Sequence, residues 1–158
     1  MGELEVIKGE DQPILRTVCD EVADFDKSLA RLAKDMVKTM NKANGIGIAA
    51  PQVNINARIC IVTLGVETEG PKTVIALVNP EVTYHSEDES IAEEGCLSLP
   101  GVYGNVSRPR KIVLKYQNIK GEQQELKLAD MDARVVQHEI DHLNGVLFID
   151  KLSEPLKM

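Results

Sequence analysis

The chain has 158 residues, 43% hydrophobic, 27% charged and only 3% aromatic. That is enough to bury an aliphatic core without staples and too apolar for a disordered segment. Its net charge of −7 repels phosphate backbones and argues against general nucleic-acid binding; it leaves a local basic patch at Arg108, Arg110, Lys111 and Lys115, ordinarily a solvated surface.

Cys19, Cys60 and Cys96 are too few and too widely spaced for a disulfide framework, which favours a reducing cytoplasm. The N-terminus, MGELEVIKGEDQP, lacks the apolar core of a signal peptide, Val6 breaks the myristoylation pattern that Gly2 suggests, and no apolar run reaches membrane-spanning length. A single domain over 1–158, monomeric and with neither nucleic-acid nor membrane partner, is the expectation.

Asp24 or Asp26 can cap a first helix, in which Leu29, Leu32, Ala33, Met36, Val37 and Met40 recur at three- and four-residue steps until Gly45 stops it. GIGIAAPQ (45–52) is too irregular for a long element and too apolar for an exposed loop. RICIVTL (58–64) and TVIALVNP (73–80) are β-branched and read as buried strands, with a turn-rich connection between them. YHSEDES (84–90) reads as an acidic loop, and EEGCLSLPG (93–101) as a backbone shaped by Gly95, Pro100 and Gly101. KIVLKY (111–116) and QELKL (124–128) suggest a hairpin around Lys120-Gly121. ADMDARVVQHEIDHLNG then forms a second helix, with Asp130 as its N-cap and Gly145 in the left-handed position past its end. VLFID reads as a short strand. Strands without regular helix alternation point to an α+β fold of mostly antiparallel sheet, packed around the second helix.

That second helix carries the chemistry. In QHEIDH, His138 and His142 lie four apart on one helical face and can present nitrogens to one ion. Glu139, about 100° round the helix, can lean toward the ion's open side without ligating it. The ordinary alternative is three polar residues on an unremarkable helix. A catalytic ion needs a third protein ligand and an open position. Only 16 residues follow His142, with Asp150 and Glu154 as their acids. His85 reads as an exposed loop residue. Cys96, between glycine- and proline-shaped turns, is the better candidate, since a thiolate beside a divalent cation binds strongly. Cys19 and Cys60 read as packing residues.

Three segments, GIGIAAPQ (45–52), EGCLSLP (94–100) and QHEIDHLNG (137–145), together resemble the peptide deformylase family, whose three motifs occur in this order. PGVYGNVSRP (100–109) looks like the common bacterial form, and the likeness runs from about residue 6 to about residue 152. The resemblance implies one divalent ion held by Cys96, His138 and His142, with water in the fourth place. Fe(II) is the family's ion, with zinc, nickel or cobalt in preparations; the ligand types alone suggest zinc. It implies a formyl-methionyl nascent peptide as substrate and formate as product. Glu139 takes the proton of the attacking water and delivers it to the leaving amine. By the same resemblance, the Gln52 side-chain amide and the Leu97 backbone N–H are expected to steady the oxyanion. The resemblance further implies that the peptide lies extended beside Ile46 and Gly47, with Gly95 permitting close approach, and that Val135 lines an apolar pocket for the methionine side chain.

Arg108 and Asp141 are expected to pair and brace the helix. An acceptor is expected at the non-coordinating nitrogen of each histidine. Gln137 has no assigned role. The chain stops at LSEPLKM, where many bacterial members continue into a long helix associated with ribosome docking, so docking by that route is not expected. The alternative reading is an HExxH metallopeptidase, which lacks its usual downstream ligand here.

Overall fold

The computed structural model describes residues 2–156. Helix α1 (Lys27–Lys42) precedes strands β1 (Gly47–Ala49), β2 (Ile59–Leu64), β3 (Thr73–His85), β4 (Glu89–Cys96), β5 (Leu99–Pro109), β6 (Lys111–Gln117) and β7 (Gln123–Ala129), and helix α2 (Asp130–Leu143) follows them. Five strands form a sheet in the order β1-β2-β3-β6-β7, and β4 and β5 pair separately. Every pairing is antiparallel, as expected of the α+β class.

Strand β2 shows why its sequence is a continuous apolar run. Ile59 and Ile61 pack against Leu29, Ala33, Met36 and Met40 of α1, while Cys60 and Val62 pack against Ala133, Val136, Ile140 and Leu143 of α2. A strand covered on both faces loses the polar alternation of a half-exposed one. The core is aliphatic, and Phe148 is its buried aromatic.

Helix α1 starts at Asp26, whose Oδ1 accepts from the Leu29 N–H at 3.1 Å. Its end differs from expectation. Asn44, not Gly45, takes the left-handed turn at φ 58°, and the Gly45 N–H closes on the Met40 carbonyl at 2.9 Å; asparagine tolerates that region better than most side chains do.

Ala129, not Asp130, stands at the N-cap of α2, without a side-chain cap. Asp130 instead sits at φ 57° and donates its N–H to the Arg110 carbonyl at 2.8 Å, which turns the chain from β7 into the helix. The other end is as expected. Gly145, at φ 73°, donates to His142 O (3.2 Å) and Val146 donates to Asp141 O (2.9 Å), a Schellman motif.

Three further expectations are corrected. The acidic loop shrinks to residues 86–88, because Tyr84 and His85 end β3 and Glu89 and Ser90 begin β4. EEGCLSLPG is mostly strand, with Leu97-Ser98 as the turn from β4 to β5. VLFID forms a 3-10 helix, Phe148–Lys151, instead of a strand; it buries Phe148 against Leu15, Leu99 and Val106.

Candidate active site

Two elements meet to make the site. The end of β4 delivers Cys96, and one face of α2 delivers His138 and His142. Their ligand atoms lie within 4.8 Å of one another, with Cys96 Sγ 3.3 Å from His142 Nε2. Both histidines are buried, and Cys96 is partly open.

His138 is oriented through its other nitrogen. Its Nδ1 lies 2.8 Å from Glu94 Oε1. A carboxylate only accepts, so Nδ1 carries the hydrogen and Nε2 is left for a ligand. Glu94 is buried, and burial opposes its charge. The bidentate Arg108, donating at 2.6 and 2.9 Å, outweighs that and holds its carboxyl well below the usual range. Arg134, one turn before His138, also donates to Glu94 Oε2 at 2.6 Å and to the carbonyls of Val106 and Ser90. Arg108 further donates to Asp141 Oδ2 at 2.9 Å; it is buried, not part of the solvated patch that its neighbours Arg110, Lys111 and Lys115 form. His142 Nδ1 departs from expectation, being buried with no protein hydrogen-bond partner.

Glu139 is buried, its Oε1 also has no protein partner, and burial raises its carboxyl to about 7. Burial opposes charge on His138, yet hydrogen bonds to Cys96 and Glu94 raise it to about 10, while burial and the neighbouring His138 push His142 well below its ordinary value. A cation competes with protons for these same atoms, so its binding releases protons. Two buried imidazoles, one of them oriented by Glu94, a sulfur at matching distance and an acceptor without a partner beside them fit a divalent ion with an open side.

The open side is a cavity of about 360 Å³. Gln52, Cys96, Leu97, Ile46, Gly47, Gly95, Val135, His138 and Glu139 all contribute to its walls. Gln52 Oε1 accepts from Ala49 N–H at 2.9 Å, which points Nε2 toward Ser98 Oγ (3.2 Å) and Cys96 Sγ (3.5 Å). A Cβ on Gly47 would lie 2.5 Å from Glu139 Oε2, and one on Gly95 would lie 2.6 Å from the Tyr103 ring. Each glycine leaves room for a neighbouring side chain, Glu139 at Gly47 and Tyr103 at Gly95. Cys60 is fully buried, and burial pushes its thiol well above its ordinary value; the buried Cys19 shifts upward for the same reason. His85 is exposed.

Sequence reasoning missed Glu94, Arg134, Ser98 and Tyr103. Glu94 stands in the quoted EGCLS stretch, but its partners come from β5 and α2, and only the fold brings them to it. Gln137 now has a role: its Nε2 donates to the carbonyls of Pro109 (3.0 Å) and Ala133 (3.1 Å), tying α2 to the end of β5.

A closed structural metal site would use four protein ligands. Here there are three, two of which, Cys96 and His138, line an open cavity with a buried acid beside them, which is the arrangement of the metal-dependent hydrolases. Known proteins narrow the class. The family model for polypeptide deformylase matches residues 4–158. The peptide deformylase of Synechocystis is 44% identical over 146 residues, covering 92% of this chain and 77% of its own. The crystal structure of peptide deformylase from Thermotoga maritima superposes with a TM-score of 0.91 at 38% identity, covering 98% of this chain and all of that one. A Met-Ala-Ser-bound class I type b peptide deformylase from Acinetobacter baumannii gives 0.88 at 38% identity, covering 94% and 98%. The chain belongs to the polypeptide deformylase family, metal-dependent enzymes that remove the N-formyl group from nascent peptides; the metallopeptidase alternative is not favoured.

Proposed function

We propose that the cavity hydrolyses the formyl amide of N-formyl-methionyl peptides, with Cys96, His138 and His142 holding one Fe(II) ion. The observation that carries this is the buried Glu139, whose Oε1 has no protein partner and which lines the same cavity as Cys96 and His138. When bound by these three residues, such an ion would supply Lewis acidity and lower the pKa of water.

The chain's own residues do the rest. Glu139 accepts a proton from the attacking water and passes it to the methionine nitrogen as the C–N bond breaks, so formate and a free amine leave. The Gln52 amide, held by Ala49, and the Leu97 N–H donate to the oxygen that gains charge. The peptide extends along Ile46 and Gly47, and Val135 packs against the methionine side chain. A Met-Ala-Ser ligand on the A. baumannii relative supports this class of substrate. The chain acts as one catalytic domain, monomeric and cytoplasmic; among the described residues no helix is long and apolar enough to cross a membrane.

The test loads the protein anaerobically with Fe(II), or with Ni(II) for durability, and follows formate release from formyl-Met-Ala-Ser beside cleavage of an unmodified peptide. Formate alone is expected. Glu139→Ala keeps one metal per chain and loses turnover, and Cys96→Ala loses the metal. Cleavage of the unmodified peptide, or normal metal content in Cys96→Ala, would overturn the assignment.

A further inference from the structure

The exposed residues of α1 are five cations, Lys27, Arg31, Lys34, Lys38 and Lys42, together with Ser28 and Asn41. No acid is exposed on this helix, although acids outnumber bases 25 to 18 in the chain. Asp35 is half-buried and accepts from the Gly2 N–H at 3.0 Å. Lys42 pairs with Glu3, whereas Lys27, Arg31, Lys34 and Lys38 make no salt bridge with the described residues. At about 100° per residue these four fall within an arc of about 60°, and at 1.5 Å per residue they span about 16 Å.

Helix stability does not explain the row. Like charges three and four apart repel, and cations at a helix N-terminus oppose its dipole. The first turn of α1 holds no acid, while that of α2 holds Asp130 and Asp132. The residues that follow, Ala43 to Gly47, line the catalytic cavity, so the row ends at its mouth. Glu87, Asp88 and Glu89 are exposed at the β3–β4 turn, and Glu93 is the exposed acid on the cavity wall.

We propose that the exposed face of α1 docks the enzyme on the phosphate backbone of structured RNA. An anionic membrane surface fits less well, because the apolar side of α1 is spent on the core and leaves nothing to insert. An acidic protein partner would be expected to meet aromatic or apolar anchors, and this face has none. Phosphates need only spaced cations. The proposal rests on the nascent-chain reading in one respect: a peptide still being synthesised emerges beside RNA, and docking through α1 brings its N-terminus to the cavity mouth. The net charge of −7 averages over this face and hides it.

The test titrates the metal-loaded full chain into a fluorescently labelled RNA hairpin at several salt concentrations. Four phosphate contacts on a duplex stem give a slope of log K against log salt of about −3.6. Arg31→Glu/Lys34→Glu/Lys38→Glu lowers affinity by on the order of tenfold or more, and the matching glutamine triple falls between it and the parent. Arg110→Glu/Lys111→Glu/Lys115→Glu, with the same charge change on the other basic patch, stays near the parent. Formate release from formyl-Met-Ala-Ser is unchanged in the α1 variants, which shows them folded and separates this proposal from the catalytic one. No RNA binding at low salt, equal loss in both glutamate triples, or equal affinity for polyglutamate or for phosphatidylserine vesicles would overturn it.

Discussion

Glu139 occupies its position because nothing stands where Gly47 would carry a side chain. A methyl group there would lie 2.5 Å from Oε2 and 3.0 Å from Cγ of Glu139. The obstructing atoms end a flexible side chain, so the fold relieves the clash by displacing the carboxylate. Gly47→Ala is therefore expected to change the melting temperature little and to keep its metal, yet to lose on the order of 10²-fold in kcat, the cost of misplacing a catalytic group by about 1 Å. Formate release and metal content on the same preparation check it; unchanged kcat would mean that Glu139 tolerates the shift. Much at this scale was legible. The spacing of His138, Glu139 and His142 on one helix is local, and Cys96 stood out between its turns. Glu94 was not legible as the acceptor for His138, because a carboxylate forty-four residues away along the chain becomes a neighbour only through tertiary pairing. The close approach of Glu139 to Gly47 was hidden for the same reason.

At the level of elements, the strongly periodic pieces were read correctly: α1, the apolar run of β2, the β6–β7 hairpin and α2. The β4–β5 hairpin was obscured by its own glycines and proline, which mark turns in most sequences but here permit close crossings. The Tyr103 ring lies over Gly95, and Leu152 lies where Gly104 would carry a Cβ. VLFID has the β-branched look of a strand, but burial of Phe148 beneath β5 favours a 3-10 turn. The end of α2 is the sharpest local agreement. Gly145 has two reasons to be glycine: φ is 73°, and a Cβ would lie 2.7 Å from the carbonyl carbon and oxygen of Arg16. Unlike the carboxylate beside Gly47, this obstruction is backbone and cannot swing away. Gly145→Ala is expected to destabilise by more than the ~1 kcal/mol of an ordinary incompatible glycine replacement. Denaturant unfolding measures it, and a loss below that figure would show that the segment carrying Arg16 shifts freely.

Across the whole molecule, the five-stranded sheet and the β4–β5 pair share no strand; α2 connects them. Gln137 donates to Pro109 at the end of β5, and Arg134 and His138 reach Glu94 on β4. Cys96 belongs to the small sheet and the two histidines to the helix, so a cation held by all three adds a further tie across the same junction. Anything bound by the folded state alone stabilises it by mass action, about 2.7 kcal/mol at a free concentration one hundred times Kd. For a chain of this length that corresponds to a melting temperature higher by roughly 5–10 °C. Chelation of the loaded protein should remove that increment. Glu139→Ala, which leaves all three ligands in place, should show the same fall on chelation. Cys96→Ala should melt at one temperature with and without chelator, because its metal is already gone. Differential scanning fluorimetry on the three proteins, with metal content measured in parallel, decides the matter. A wild-type melting temperature indifferent to chelation would mean that the ion serves chemistry without bracing the junction.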